Sequence, residues 1–237
     1  MKAILERSGE RGHAHIGWLD AYYSFSYGDY QNPERMGFGA LQFLNDNTIA
    51  IGHGFQATFP TNMVLISLPL KGSLHYHDSF EHDGMVRWGQ LHVLDTGNCS
   101  VTTKYENISE HHQVEFLQIG ILPEARDKMP NYKVVDFMHL LKENQFTLIL
   151  APDDDTPPVI RQYAWISVGE FHQGMKTEYL LQRKGNGIYV FVLGGAVNVA
   201  GHELESKDGL EITATQQVDF SFTQNSAVLI IEVPMEV

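Results

Sequence analysis

Twelve histidines and a single cysteine are the residues of this chain best suited to chemistry. His75-Tyr76-His77 has the i, i+2 spacing that puts two imidazoles on one face of a strand, as a metal site in a β-protein uses. A two-residue motif is weak, and Asp78, Glu81 and His82 follow it in what reads as a solvated loop. Surface histidines are therefore expected there, with a relocated metal site as the competing reading. His111-His112 falls in a polar connection, and His13 and His15 precede Gly17-Trp18; both pairs read as exposed. His53, before Gly54-Phe55, reads as a structural histidine, with a place at the mouth of a barrel as the alternative.

Nucleophilic chemistry has little support. Cys99 stands in the turn Gly97-Asn98-Cys99-Ser100 with no neighbouring base, so an ordinary turn thiol is expected and a redox-sensing role is the alternative. No Gly-x-Ser-x-Gly elbow occurs. Gly194-Gly195 suits a hairpin and Gly185-Asn186-Gly187 a turn, not a phosphate loop.

The elements that must position these groups are strands. β-rich runs separated by turns cover Met63 to Leu70, Leu74 to His77, Leu91 to Leu94, Ser100 to Glu106 and Val114 to Leu122. The pattern resumes at Val159 to Val168, Thr177 to Leu181, Ile188 to Leu193, Ala196 to Val199, Leu210 to Thr213, Val218 to Phe222 and Ala227 to Val233. One short helix is expected near Asp136 to Glu143, where Phe137, Leu140 and Leu141 share a face. The fold class is all-β. The aromatic cluster Trp18, Tyr22, Tyr23, Phe25, Tyr27 and Tyr30 is expected to pack the N-terminal segment onto the core, an interaction surface being the minority reading.

The 237 residues carry 43% hydrophobic and 19% charged side chains, which suits a compact chain and argues against disorder. A net charge of −13 with no basic run argues against direct nucleic-acid binding. No stretch approaches the ~18 apolar residues of a membrane span, and the charged start Met1-Lys2-Ala3-Ile4-Leu5-Glu6-Arg7 does not read as a secretory leader. Together with one cysteine this favours a cytoplasmic setting.

The two halves repeat each other. Leu70-Lys71-Gly72-Ser73-Leu74, Trp88-Gly89-Gln90-Leu91 and the strand 116–122 ended by Pro123 find counterparts in Leu193-Gly194-Gly195-Ala196-Val197, Asp208-Gly209-Leu210 and the strand 228–233 ended by Pro234. A duplicated β-barrel follows, because closure removes exposed edges. The Asp- and Pro-rich stretch Ala151 to Pro158 reads as a surface connector. Domains are expected over 1–135 and 136–237.

Several segments resemble the pirin family of two-domain cupins. Trp18-Leu19-Asp20-Ala21-Tyr22-Tyr23-Ser24-Phe25 looks like its opening, as does Asn32-Pro33-Glu34-Arg35-Met36-Gly37. The likeness continues through Gly54-Phe55, Lys71-Gly72, His77-Asp78-Ser79 and Phe116-Leu117-Gln118-Ile119, and is looser in the C-terminal half. It implies a bicupin: two double-stranded β-helix (jelly-roll) barrels packed face to face, with a metal, usually iron or another divalent ion, in the N-terminal one. The family's ligands are a His-Pro-His and a later His-x-Glu. Some members use that metal to cleave quercetin with dioxygen, and the animal protein is described as a nuclear cofactor of transcription regulators.

The chain departs from that pattern at the ligands. The His-Pro-His place falls on Thr58-Phe59-Pro60 and the His-x-Glu place on Thr102-Thr103-Lys104, with Glu106 within a residue or two. Threonine and proline do not replace imidazole, and an ammonium repels a divalent cation. No cofactor and no catalytic residue is therefore expected, and Thr58, Pro60, Thr102, Lys104 and Glu106 are expected to line a pocket at the former metal site. Lys104 either points inward, pairing with Glu106 or an anionic ligand, or, after a slip of one residue, faces solvent. The leading function is a metal-free binding or regulatory module with a small-molecule ligand in the N-terminal barrel or a protein partner, without nucleic acid or membrane. The alternative is a metal-dependent quercetin 2,3-dioxygenase.

Overall fold

The computed structural model describes residues 1–123, 129–152 and 164–236. In chain order its strands are β1 Lys2–Glu6, β2 Gly12–His15, β3 Leu19–Tyr23, β4 Leu41–Ile49, β5 Gly54–Phe59, β6 Val64–Lys71 and β7 Ser73–Asp78. Then come β8 Asp83–Arg87, β9 Gln90–Asp95, β10 Val101–Glu106, β11 Val114–Ile121, β12 Asn131–Asp136, β13 Thr147–Leu150 and β14 Trp165–Phe171. The last seven are β15 Lys176–Leu180, β16 Asn186–Gly194, β17 Ala196–Val199, β18 His202–Glu205, β19 Gly209–Thr213, β20 Gln217–Phe222 and β21 Ser226–Pro234.

The chain divides into two compact units. One comprises Gly12–Gly37 and Leu41–Met138, the other Met1–Arg11, Phe38–Ala40 and His139–Val237. In the first, a seven-stranded sheet, β12-β9-β6-β11-β4-β3-β2, is accompanied by a four-stranded one, β5-β10-β7-β8. In the second, the sheets are β1-β19-β16-β21-β14-β13 and β15-β20-β17-β18. Every pairing is antiparallel. In each unit inward side chains from both sheets form one apolar core, as a jelly roll requires: Leu65, Leu94 and Phe116 meet Phe59, Leu74 and Tyr105 in the first, and Val190, Ile212 and Ile230 meet Val197, Val218 and Phe220 in the second.

The duplication read from sequence is present in the topology. The run β9-β6-β11-β4 of the first unit corresponds to β19-β16-β21-β14 of the second. Both units turn from their central strand into the smaller sheet through a glycine with positive φ, Gly72 at 75° and Gly195 at 86°. A Cβ at Gly195 would sit 2.3 Å from the Asn225 carbonyl oxygen and at Gly72 2.8 Å from that of Gln113, so no other residue serves at either turn.

Three expectations need correction. The helix near Asp136 to Glu143 is a single 3₁₀ turn, Met138–Leu140; β12 runs up to Asp136, and Phe137 is buried between the two with its backbone N–H on the Gly89 carbonyl. His75 and His77 lie on a strand as expected, but Asp78, expected in the loop that follows, is the last residue of β7, in register with Thr103 of β10. Residues 1–11 do not cluster with the N-terminal unit: β1 pairs with β19 along its whole length, Lys2 opposite Thr213 to Glu6 opposite Gly209. The Arg7 guanidinium adds a 2.7 Å bond to the buried Asp208 carboxylate, which also accepts from the Ser8 backbone N–H. Most of the connector expected at 151–158, and the start of the strand expected at 159, lie outside the described residues. No described helix is long and apolar enough to cross a membrane.

Candidate functional site

β5 and β10 carry four of the five residues singled out in the sequence, and Pro60 directly follows β5. Thr58 stands directly opposite Thr102, and their hydroxyls are hydrogen-bonded at 2.9 Å on the solvent side of the sheet. Along β10 burial alternates: Val101, Thr103 and Tyr105 are buried while Lys104 is exposed. Lys104 therefore points outward, its side chain 52% accessible, with Nζ 2.7 Å from Glu106 Oε1. The hydrogen bond from Lys104 holds the Glu106 carboxyl below the usual carboxylate range, against a smaller opposing effect of burial. Pro60 is exposed beyond the end of β5, and its carbonyl accepts a 2.9 Å bond from the Thr96 hydroxyl. The inward reading of Lys104 is thus corrected. Thr58 and Thr102 form one exposed pair, Lys104 and Glu106 another, and the inward positions of this strand belong to Thr103 and Tyr105.

The other candidates have local roles. His75 and His77 share the outer face of β7 with Asp83, whose Oδ2 is 3.3 and 3.4 Å from their ring nitrogens. Among the described residues, no group of three or more His, Cys, Asp or Glu side chains is arranged to hold a metal ion. His13 bonds Asp20 at 2.6 Å, and His53 stacks on Trp18 with ring centroids 5.9 Å apart. The Cys99 thiol donates to the Asn98 side-chain oxygen. Trp18, Tyr23 and Tyr27 pack against the N-terminal core and Phe25 is fully buried, as expected of the aromatic cluster.

The polar residues that matter inside the barrel were not singled out by sequence. Asn45 on β4 lies opposite Gln118 on β11, Gln118 opposite Ser67 on β6, and Ser67 opposite His92 on β9. Cross-strand partners share a face, and these alternate correctly with the inward Phe43, Phe116, Leu65 and Leu94. A row of four polar side chains, each at most 1% accessible, therefore crosses the inner wall of the barrel. Thr103 and Tyr105, both at 0%, project inward from β10 on the other sheet. Ser67, Gln118 and Thr103 surround the Tyr105 hydroxyl and partly offset the upward push that burial gives its pKa.

Internal bonding leaves much of this belt unsatisfied. Asn45 Nδ2 donates to Gln118 Oε1 at 3.2 Å, and the Tyr27 hydroxyl to the same oxygen at 3.4 Å. Asn45 Oδ1, Ser67 Oγ, His92 Nε2, Thr103 Oγ1, Tyr105 OH and Gln118 Nε2 are buried with no aligned hydrogen-bond partner. A buried polar atom left this way costs about 1–3 kcal/mol, and native interiors hold few of them. His92 is neutral, its pKa pulled down to about 4 chiefly by burial. Its ring stacks on Tyr76 at 3.9 Å between centroids. The nearby Asp78 carboxylate is buried but satisfied by the Phe80 and His82 backbone N–H groups and the His82 ring.

The C-terminal barrel holds no equivalent belt among its described residues. Its buried carboxylate, Glu232, accepts from the Tyr179 hydroxyl, the Gln182 and Arg183 backbone N–H groups and the Asn186 amide, an anchor for the strand ends. An open concavity of about 640 Å³ lies over Lys176, Glu178, Asn198, Asp219 and Ser221 on its smaller sheet.

Two family models match the chain: the pirin model over residues 5–121 and the quercetinase C-terminal cupin domain model over residues 148–233. The chain belongs to the pirin family. The nickel(II)-bound pirin YhhW of Escherichia coli superposes with a TM-score of 0.90 at 27% identity, all of both chains being covered. By sequence this pirin is 28% identical to the quercetin 2,3-dioxygenase of E. coli K12, over 97% of this chain and 98% of that one. It is 25% identical to a pirin-like protein of Caulobacter vibrioides, over 93% and 95% of the two chains. Where family resemblance places three imidazoles and a carboxylate, this pirin has two mutually bonded threonine hydroxyls, a proline and an ion-paired lysine. That donor set does not suit a divalent metal.

Proposed function

We propose that this pirin is a binding module whose N-terminal barrel works without the family's catalytic metal, holding a small molecule or serving a protein partner in a regulatory role. The observation that supports this reading is Lys104: it stands in the sequence position of the carboxylate ligand, and its ammonium, turned outward, is paired with Glu106. Turned outward, Lys104 supplies no donor inside the barrel, and neither Thr58 nor Thr102 offers nitrogen. The acidic chain favours protein or small-molecule partners over nucleic acid, and its single cysteine a cytoplasmic setting.

The second reading, a quercetin 2,3-dioxygenase, is favoured by the near full-length match to the E. coli relative of that name. Elemental analysis of protein purified without chelators or a His-tag separates the two, together with dioxygen uptake in the presence of quercetin. The binding-module reading expects substoichiometric metal and no uptake. Metal at one equivalent per chain with quercetin-dependent uptake would overturn it.

A further inference from the structure

We propose that β8 is a docking edge for a second copy of this chain, whose own β8 adds antiparallel about a two-fold axis through Met85 and joins two four-stranded sheets into one. The edge lies on the outside of the N-terminal barrel, so its pairing does not depend on what the barrel holds.

The backbone of β8 is open on one side. It ends the sheet β5-β10-β7-β8 and is paired only with β7. Where that ladder begins, the Asp78 N–H donates to the His82 carbonyl, and antiparallel pairs alternate between bonded and unbonded. Counted from that pair, Gly84 and Val86 turn their backbone groups to β7, while Asp83, Met85 and Arg87 turn theirs away from it. The Arg87 N–H agrees, since it donates to the Gln90 side-chain oxygen at 3.3 Å. An edge in this state is a template for one more strand.

The side chains on that edge complement themselves. Asp83, Met85 and Arg87 share the outer face and are all exposed, Met85 by 53%. In a pairing centred on Met85, Asp83 stands opposite Arg87 of the second copy, Arg87 opposite its Asp83, and the two methionines meet at the axis. Opposite charges directly across a ladder attract. Among the described residues the Arg87 guanidinium has no partner, and Asp83 has only the His75 and His77 rings within ion-pair reach.

The other barrel shows the contrary arrangement. Its equivalent edge is β18, in the sheet β15-β20-β17-β18, and the outward residues there are the exposed Glu203 and Glu205. Any self-pairing of β18 that keeps its faces sets glutamate against glutamate, which repels. One of two equivalent edges is thus guarded against its own copy and the other is matched to it. The β8 contact is only five residues long and each chain carries a net charge of −13, so the dimer is a weak one that needs salt to screen long-range repulsion.

Sedimentation velocity of the full chain at physiological ionic strength, over a concentration series, tests this. The mass is expected to rise reversibly from 26.8 kDa towards double that value. Asp83→Arg or Arg87→Asp alone places like charges opposite one another on both sides of the axis, and is expected to weaken the dimer by about tenfold or more. The variant with both reversals restores association to within about threefold of wild type. Met85→Cys in a Cys99→Ser background, oxidised with diamide, is expected to form a disulfide-linked dimer, because a bonded cross-strand pair holds its Cα atoms about 5.5 Å apart. Protein that stays monomeric at every concentration, leaving the edge to some other strand, would overturn the proposal. So would a dimer indifferent to either single reversal, a loss that the double reversal does not rescue, or a dimer in which Met85→Cys does not cross-link.

Discussion

Ser67 and Gln118 stand directly opposite one another on adjacent inner strands, fully buried, and each leaves a polar atom without an aligned partner. On the four-stranded sheet of the same unit, the outward Thr58 and Thr102 satisfy each other. The outward pair and the inner row differ in their hydrogen bonding, and the consequences for stability differ between the two places.

Lys104→Met is predicted to change folding stability by no more than about 0.5 kcal/mol, because the side chain is half exposed and its ion pair with Glu106 is a surface one. Chemical denaturation measures this, and a loss above about 1 kcal/mol would mean that the lysine is buried in solution.

Acid should weaken the N-terminal barrel before most carboxylates titrate. The pKa of His92 falls from 6.5 to about 4 on folding, so below pH 6.5 the unfolded chain takes up a proton that the folded chain refuses. Stability then declines as pH falls from about 6.5 towards 4, by at most about 3 kcal/mol from this residue. The pH dependence of ΔG for His92→Gln, set beside that of the wild type, isolates the effect; identical slopes would refute it.

Glu232→Gln is predicted to cost about 2–4 kcal/mol. The carboxylate is wholly buried and accepts from four donors, and an amide would turn an N–H₂ towards two of them. A melting temperature within a degree or so of wild type would contradict this account.

Removal of residues 1–7 is predicted to lower stability by about 2 kcal/mol or more, through loss of the β1 pairing with β19 and of the Arg7 bond to Asp208. Thermal unfolding of the truncated chain checks it, and an unchanged transition would show that β1 contributes nothing.

The strands and their duplication were legible because turn glycines and apolar runs are local signals, and Gly72 and Gly195 repeat in the same hairpin. The helix at 136–143 misled because Phe137, Leu140 and Leu141 have helical spacing, yet Phe137 is buried at the end of a strand and only Met138–Leu140 coils. The facing of β10 was not legible. Thr102-Thr103-Lys104-Tyr105-Glu106 alternates polar and polar, so nothing local says which parity faces inward, and only pairing with β5 and β7 decides it. The belt left a fainter signal: Ser67 and Gln118 are lone polar residues inside apolar runs, at the parity of Leu65 and Phe116.

The first strand of the chain completes a sheet whose other members are made last. During synthesis at about 5–20 residues per second, Lys2–Glu6 waits roughly 10–40 s for its partner Gly209–Thr213 to emerge. For that interval it is an unclaimed edge-forming segment, open to pairing with a neighbouring nascent chain. The order of manufacture thereby gives this protein a built-in opportunity for strand exchange, and any fusion placed directly before Met1 sits on a segment whose partner is made about two hundred residues later.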